Sequence, residues 1–300
     1  MDNFEYNEDI DLNYEDDYGT RGTSNKINKI GEIIELETIE PNLMHFCRNF
    51  QSATYLIKQC HDLLVKKEFD ELYEKLSSFQ IGQFKSNKEE EMCVLLVKNF
   101  YLGIVHFKKT ECEEALSCFN EALKIYDYYQ INYNIALCYI KLEQLDTAVF
   151  YLEKVTKKNK NFVFAYYNLI RIYLKKNNIN DAYLIYKEFS DSIKKDKESA
   201  QHGIASQRLS VASYNAYKLF YKLGAECCFA KSVYQECVHT ILEALKFNPQ
   251  DPELFCLYAK VFIMKKSFEF AKPLLVKAIE INPNYSEAIE LLQILKSENI

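Results

Sequence analysis

Residues 237–283 read CVHTILEALKFNPQDPELFCLYAKVFIMKKSFEFAKPLLVKAIEINP. Within them Ala244 and Pro249 close one window as Ala278 and Pro283 close the next, a shift of 34 residues. Steps of the same size upstream reach the small residues Ala182, Ala148 and Ala115, spaced 34 and 33 apart. A fixed period in this range marks stacked units, each burying its apolar face only against its neighbours. The small residues recur at two interior positions with bulky ones a helical turn away, as two closely crossing helices require.

Five windows carry the pattern. Asn99, Leu102, Gly103 and His106 mark a first helix, and Ala115, Phe119 and Ala122 a second. Ile135, Ala136 and Tyr139 precede Ala148, Leu152 and Val155; Leu169, Ile170 and Tyr173 precede Ala182, Tyr186 and Phe189. After an interruption come Gly224, Ala225 and Cys228 with Cys237, Ile241 and Ala244, then Tyr258, Ala259 and Phe262 with Ala271, Leu275 and Ala278. The set resembles the tetratricopeptide repeat, W-x2-L-G-x2-Y, A-x3-F, P over a 34-residue helix-turn-helix, across roughly residues 96–190 and 218–300. The chain has no Trp, and Asn99, Asn132, Tyr166, Tyr221 and Phe255 fill the Trp position. Ile170 is the poorest fit at the Gly position, where a β-branched side chain should push the paired helix outward. The resemblance implies an all-α, right-handed superhelical solenoid of antiparallel helix-turn-helix repeats.

Seven Gly and five Pro in 300 residues suit helices joined by short turns better than strands. Ten Cys without paired spacing and no apolar leader favour a reducing compartment, so a cytoplasmic location is expected, with nuclear or ciliary ones compatible. No charge-free run long enough to span a bilayer occurs. Charge is uneven: residues 1–20 hold eight acids and no base, which leaves +2 for the rest of a chain of net charge −6. A bulk affinity for nucleic acid is therefore not expected.

The chain divides into an acidic tail at 1–26, expected to be disordered alone; N-terminal helices at 27–86, a degenerate repeat or a cap; three repeats at 87–190; a helical insertion or drifted repeat at 191–217; and two repeats with a capping helix at 218–300. In the tail Phe4, Tyr6, Ile10, Leu12, Tyr14 and Tyr18 interleave with the acids, as in a short motif that orders on a basic surface or as in a solubilising tail. Ile27, Ile30, Ile33, Ile34 and Leu36 suffice for a short helix or docking strand, and Pro41 is a helix-starting residue.

In the family the first helix of each repeat lines the concave groove through its second, fifth, sixth and ninth positions. The resemblance thereby implies a peptide-binding groove of Phe100, Tyr101, Ile104, Tyr133, Asn134, Leu137, Tyr167, Asn168 and Arg171. Asn134 and Asn168 resemble an asparagine ladder, whose amides donate and accept toward a peptide main chain; the alternative is that Asn is merely tolerated there. The family's dicarboxylate clamp for chaperone tails wants Lys and Asn where Phe100 and Ile104 stand, so only Asn134, with Arg171 displaced, fits a co-chaperone. Lys66-Lys67, Lys108-Lys109, Lys175-Lys176 and Lys265-Lys266 fall at ends of first helices, where cations offset the helix dipole; an RNA-phosphate stripe is the alternative.

No metal site is expected. His45/Cys47, Cys60/His61 and Cys227/Cys228 with Cys237/His239 lack zinc-site spacing. No cofactor or catalytic residue is expected either, because no nucleophile, metalloprotease or phosphate-loop motif occurs. The expectation is a non-catalytic scaffold or adaptor that binds a peptide or helix of a protein partner within a multiprotein complex, with a co-chaperone and an RNA-processing repeat protein as rivals.

Overall fold

The computed structural model describes residues 47, 49–79, 87–199 and 211–297. Expectations for the acidic tail, the 27–38 segment, Pro41, and Ile204 and Leu209 lie outside the described residues. Among the described residues all regular elements are helices: α1 (Gln51–Lys66), α2 (Phe69–Ser78), α3 (Lys88–Lys108), α4 (Cys112–Ile125), α5 (Tyr129–Lys141), α6 (Leu145–Lys158), α7 (Val163–Lys175), α8 (Ile179–Ser199), α9 (Val211–Ala230), α10 (Tyr234–Phe247), α11 (Pro252–Met264), α12 (Phe268–Ile281) and α13 (Ser286–Ser297). From α3 onward they alternate as first and second helices of five hairpins, and α13 closes the array. The all-α repeat solenoid expected from the period is the observed fold.

Local chemistry sets the ends. Asn87 caps α3 by accepting from the Glu89 N–H at 3.0 Å. Asp251 caps α11 by accepting from Glu253 N–H and Leu254 N–H, with Pro252 at the first helical position. Six hairpins share one corner. Lys67, Thr110, Glu143, Asn177, Ser232 and Lys266 all have φ between 55° and 65°. In each, the next N–H reaches back five residues: Glu68 to Leu63 O, Glu111 to His106 O, Gln144 to Tyr139 O, Asn178 to Tyr173 O, Val233 to Cys228 O and Ser267 to Phe262 O. That bond satisfies a carbonyl which the ending helix leaves unpaired. The α1–α2 pair has the same corner as the five windows, so it is a hairpin of the same kind.

Close crossing follows from the small residues. Ala115, Ala148, Ala182, Cys237 and Ala271 on the second helices are fully buried. A Cβ added at Gly103 would sit 2.6 Å from the Phe119 ring, and one at Gly224 would sit 2.3 Å from the Tyr186 ring. Helices α7 and α8, with Ile170 at the Gly position, pack less closely than the other four of these hairpins. Instead Tyr166 stacks on Phe189 at 4.3 Å between ring centroids.

Each second helix packs on the first helices before and after it. First helices also touch one another directly, α3 on α5, α7 on α9 and α9 on α11, which makes them the inner row. Around the interruption α8 extends to Ser199 and α9 begins at Val211, so both helices reach into the 191–217 segment. Charged side chains tie neighbouring units along one edge. Lys109 meets Asp70 at 2.6 Å and Lys175 meets Glu143 at 3.0 Å, while Lys176 pairs with Asp146. Lysines at the ends of first helices thus find acids of the preceding unit as well as the helix dipole.

Candidate functional site

Helical spacing puts positions two, five, six and nine of a first helix on one face. On α5 these are Gln130, Tyr133, Asn134 and Leu137; on α7 they are Phe164, Tyr167, Asn168 and Arg171. The nine groove residues expected from sequence all lie on α3, α5 and α7. Eight of them are 7% exposed or less, and only Arg171 is half-buried. The aromatic members act in part as mortar: Tyr133 meets Phe162 edge-on at 5.0 Å, and Phe100 meets Phe119 at 6.1 Å. With Phe100 and Ile104 buried, the first unit presents no cation where the dicarboxylate clamp would need one.

The amides are not equivalent. Asn168 donates through Nδ2 to the Tyr133 hydroxyl and to the Phe164 carbonyl, both at 3.0 Å, which links the second unit to the third. Asn132, at the Trp position, donates to Asp127 at 2.8 Å and to the Tyr128 carbonyl at 3.0 Å, while its Oδ1 has no partner among the described residues. Asn134 makes no side-chain hydrogen bond to a described residue. Gln130 is 3% exposed, and neither its Oε1 nor its Nε2 has a partner among the described residues. A buried carboxamide of this kind costs about 1–3 kcal/mol if left unmet, so it is the inner-face group most in need of a ligand. The position rule pointed at Gln130, but the mapping from sequence stopped at the fifth, sixth and ninth positions.

Arg171 lies over the Tyr167 ring at 5.7 Å and pairs with no carboxylate among the described residues. Burial pushes the Tyr167 hydroxyl up, and Arg171 opposes that rise. Beyond Arg171 the inner row changes character, a stretch the sequence mapping did not reach. Lys222, at the fifth position of α9, holds Asp251 at 3.0 Å and Glu253 at 2.6 Å, and Lys260 pairs with Glu287. Glu226 stands among them with its carboxyl pushed up by desolvation, which outweighs Lys222. The inner row is therefore amide and aromatic over the first three units, then a self-compensated charged network.

Cysteine chemistry is subdued. Cys228 and Cys237 fill crossing positions; burial pushes both thiols, with those of Cys60 and Cys227, up to about 12. The Cys237 thiol donates to Ala225 O at 3.3 Å. Among the described residues no group of three or more His, Cys, Asp or Glu could hold a metal ion, and no helix is long and apolar enough to cross a membrane.

Comparison with known proteins gives one family and one fold. The profile of the tetratricopeptide repeat matches residues 129–161, the second unit. Among solved structures the chain is similar to YrrB, a TPR protein with an unusual peptide-binding site: the TM-score is 0.52 at 16% identity, covering 71% of this chain and 95% of that one. It is also similar to the APC/C hetero-tetramer Cut9–Hcn1, with a TM-score of 0.52 at 14% identity, covering 90% of this chain and 46% of that one. No curated protein matches. Identities this low speak to fold alone.

Proposed function

We propose that this chain, a tetratricopeptide-repeat solenoid by fold with its second unit matching that family's model, is a non-catalytic scaffold that holds an extended peptide of a protein partner along the inner faces of α3, α5 and α7. The observation that carries this reading is the Gln130 carboxamide, buried without a partner among the described residues on the same face as Asn134, Asn168 and Arg171. A peptide main chain offers both a donor and an acceptor at each residue, which is what an unmet carboxamide lacks. Arg171, uncommitted to a carboxylate, supplies a charge-assisted contact for an acidic side chain or terminus. A peptide-binding site in YrrB, which shares the fold, accords with this use of the inner row. The free cysteines accord with a cytoplasmic setting, and membership of a larger assembly follows from the scaffold role.

The test is a selection of displayed random peptides on the full chain, followed by titration against variants. Tyr133 and Tyr167 are poor probes, since truncating such buried rings costs about 3–5 kcal/mol in packing. Gln130→Met and Arg171→Glu should each weaken selected peptides about tenfold or more. A Phe150→Ser/Leu184→Ser double variant alters exposed outer residues of α6 and α8 and should bind as the parent does. Loss in the outer variant with retention in the inner ones would overturn the reading.

A further inference from the structure

Position nine of a first helix faces the inner row, and in the third and fourth units it holds opposite charges, Arg171 on α7 and Glu226 on α9. Helices α7 and α9 touch directly. Both charges act on one side chain: Arg171 lies over the Tyr167 ring at 5.7 Å and hydrogen-bonds its hydroxyl, while Glu226 raises that hydroxyl's pKa. They are nonetheless separate. Lys222 is the cation that acts most on Glu226, and no ion pair joins Glu226 to Arg171 among the described residues.

The lysines beside Glu226 are spent elsewhere. Lys222 holds Asp251 at 3.0 Å and Glu253 at 2.6 Å, and Lys260 pairs with Glu287. Asp251 is itself fixed, because its carboxylate caps α11 by accepting from Glu253 N–H and Leu254 N–H. Glu226 makes no hydrogen bond or ion pair to a described residue, and its side chain is exposed. Desolvation still pushes its carboxyl up, as happens to a group in a concavity that solvent reaches but protein crowds. A carboxylate so placed gains more from an incoming cation than one in open water does. Arg171 is its counterpart of opposite sign, since one hydroxyl leaves most of the five guanidinium N–H donors free for an acid.

We infer that the peptide site extends past Arg171 to Glu226, and that the partner carries a basic side chain, Lys or Arg, which Glu226 receives beside an acidic one received by Arg171. The inference rests on the inner row being a peptide site and names the chemistry of the peptide. Adjacent first helices stand about 8–10 Å apart, and an extended chain rises about 3.3 Å per residue. Acid and base are therefore about two or three positions apart in the partner's sequence. A segment of one sign alone meets one of the two side chains with like charge, which selects against purely acidic and purely basic tails.

The experiment selects displayed random peptides on the full chain and titrates the winners against charge variants. Winners should carry an acid and a base about two or three positions apart. Glu226→Gln keeps the side chain's shape and breaks no bond to a described residue, so it should weaken them about tenfold through the lost charge. Glu226→Lys should weaken them further, yet bind a peptide whose base is replaced by Glu with about the parent affinity. General damage to the fold would give no such rescue. Winners that are lost with Arg171→Glu but lack a base, or are indifferent to Glu226→Gln, would overturn the inference and leave the peptide-site reading standing. A selection that yields no inner-face peptide would overturn both.

Discussion

Gln130 gives the sharpest prediction because stability and binding should move in opposite directions. Its carboxamide is buried with both polar atoms unpaired among the described residues, and Met matches its length without polar atoms. Gln130→Met removes two unmet hydrogen-bonding groups in one step, so the unliganded chain should gain about 1–3 kcal/mol at that site. A solenoid is not safely treated as two-state, because units couple mainly to their neighbours. Hydrogen exchange of the α5 amides is therefore the suitable assay, and it should slow by about fivefold to a hundredfold. In the same variant affinity for an inner-face peptide should drop about tenfold or more, since the amide no longer meets a main chain. Faster exchange in α5, or unchanged peptide affinity, would refute the idea that Gln130 is held unsatisfied for a ligand.

Three other outcomes follow from the fold. Gly224→Ala brings a Cβ to 2.3 Å from the Tyr186 ring and should destabilise the α8–α9 region by about 1–3 kcal/mol, read by faster hydrogen exchange of the α8 and α9 amides; a neutral result would deny that this crossing needs Gly. Thr110 is β-branched yet has φ of 65°, so Thr110→Gly should raise stability by about 0.5–1 kcal/mol, while Thr110→Ala should yield less of that gain; equal effects would show that the corner is unstrained. For Glu236, burial favours the neutral acid, but hydrogen bonds from Lys187 at 2.8 Å and Tyr183 at 2.6 Å win and hold its carboxyl below the usual 4.5. Its stabilisation is therefore present above about pH 4.5 and is lost as pH falls through the folded value. The Tm difference between the parent and Glu236→Gln should close as pH falls below about 4.5; a constant gap would remove the linkage.

What could be read from the residues was the repeat itself, because steric demand at a helix crossing leaves Ala or Cys in register at Ala115, Ala148, Ala182, Cys237 and Ala271. The corner was not legible. Its left-handed residue is Lys, Thr, Glu, Asn, Ser or Lys in turn, and nothing in such a set announces φ above zero where Gly would. The Lys pairs were seen as dipole partners, but their acids, Asp70, Glu143 and Asp146, stand a repeat away and meet them only after stacking. On the inner face the register named which side Tyr133 and Asn134 occupy. Coverage is a property of what lies above them, and a helical period carries no information about that. Gln130 was within reach of the position rule, since it occupies the second position of the second unit. Its importance comes from unmet polar atoms, which only packing reveals.

The most direct measurement is a parallel affinity purification, from native cells, of the parent chain, the inner variant Arg171→Glu and the outer variant Phe150→Ser/Leu184→Ser, with co-eluting proteins quantified. An inner-face peptide site predicts that the parent's specific partners are lost with Arg171→Glu and kept with the outer pair. Partners that survive Arg171→Glu and vanish with Phe150→Ser/Leu184→Ser would place recognition on the outer helices and contradict it.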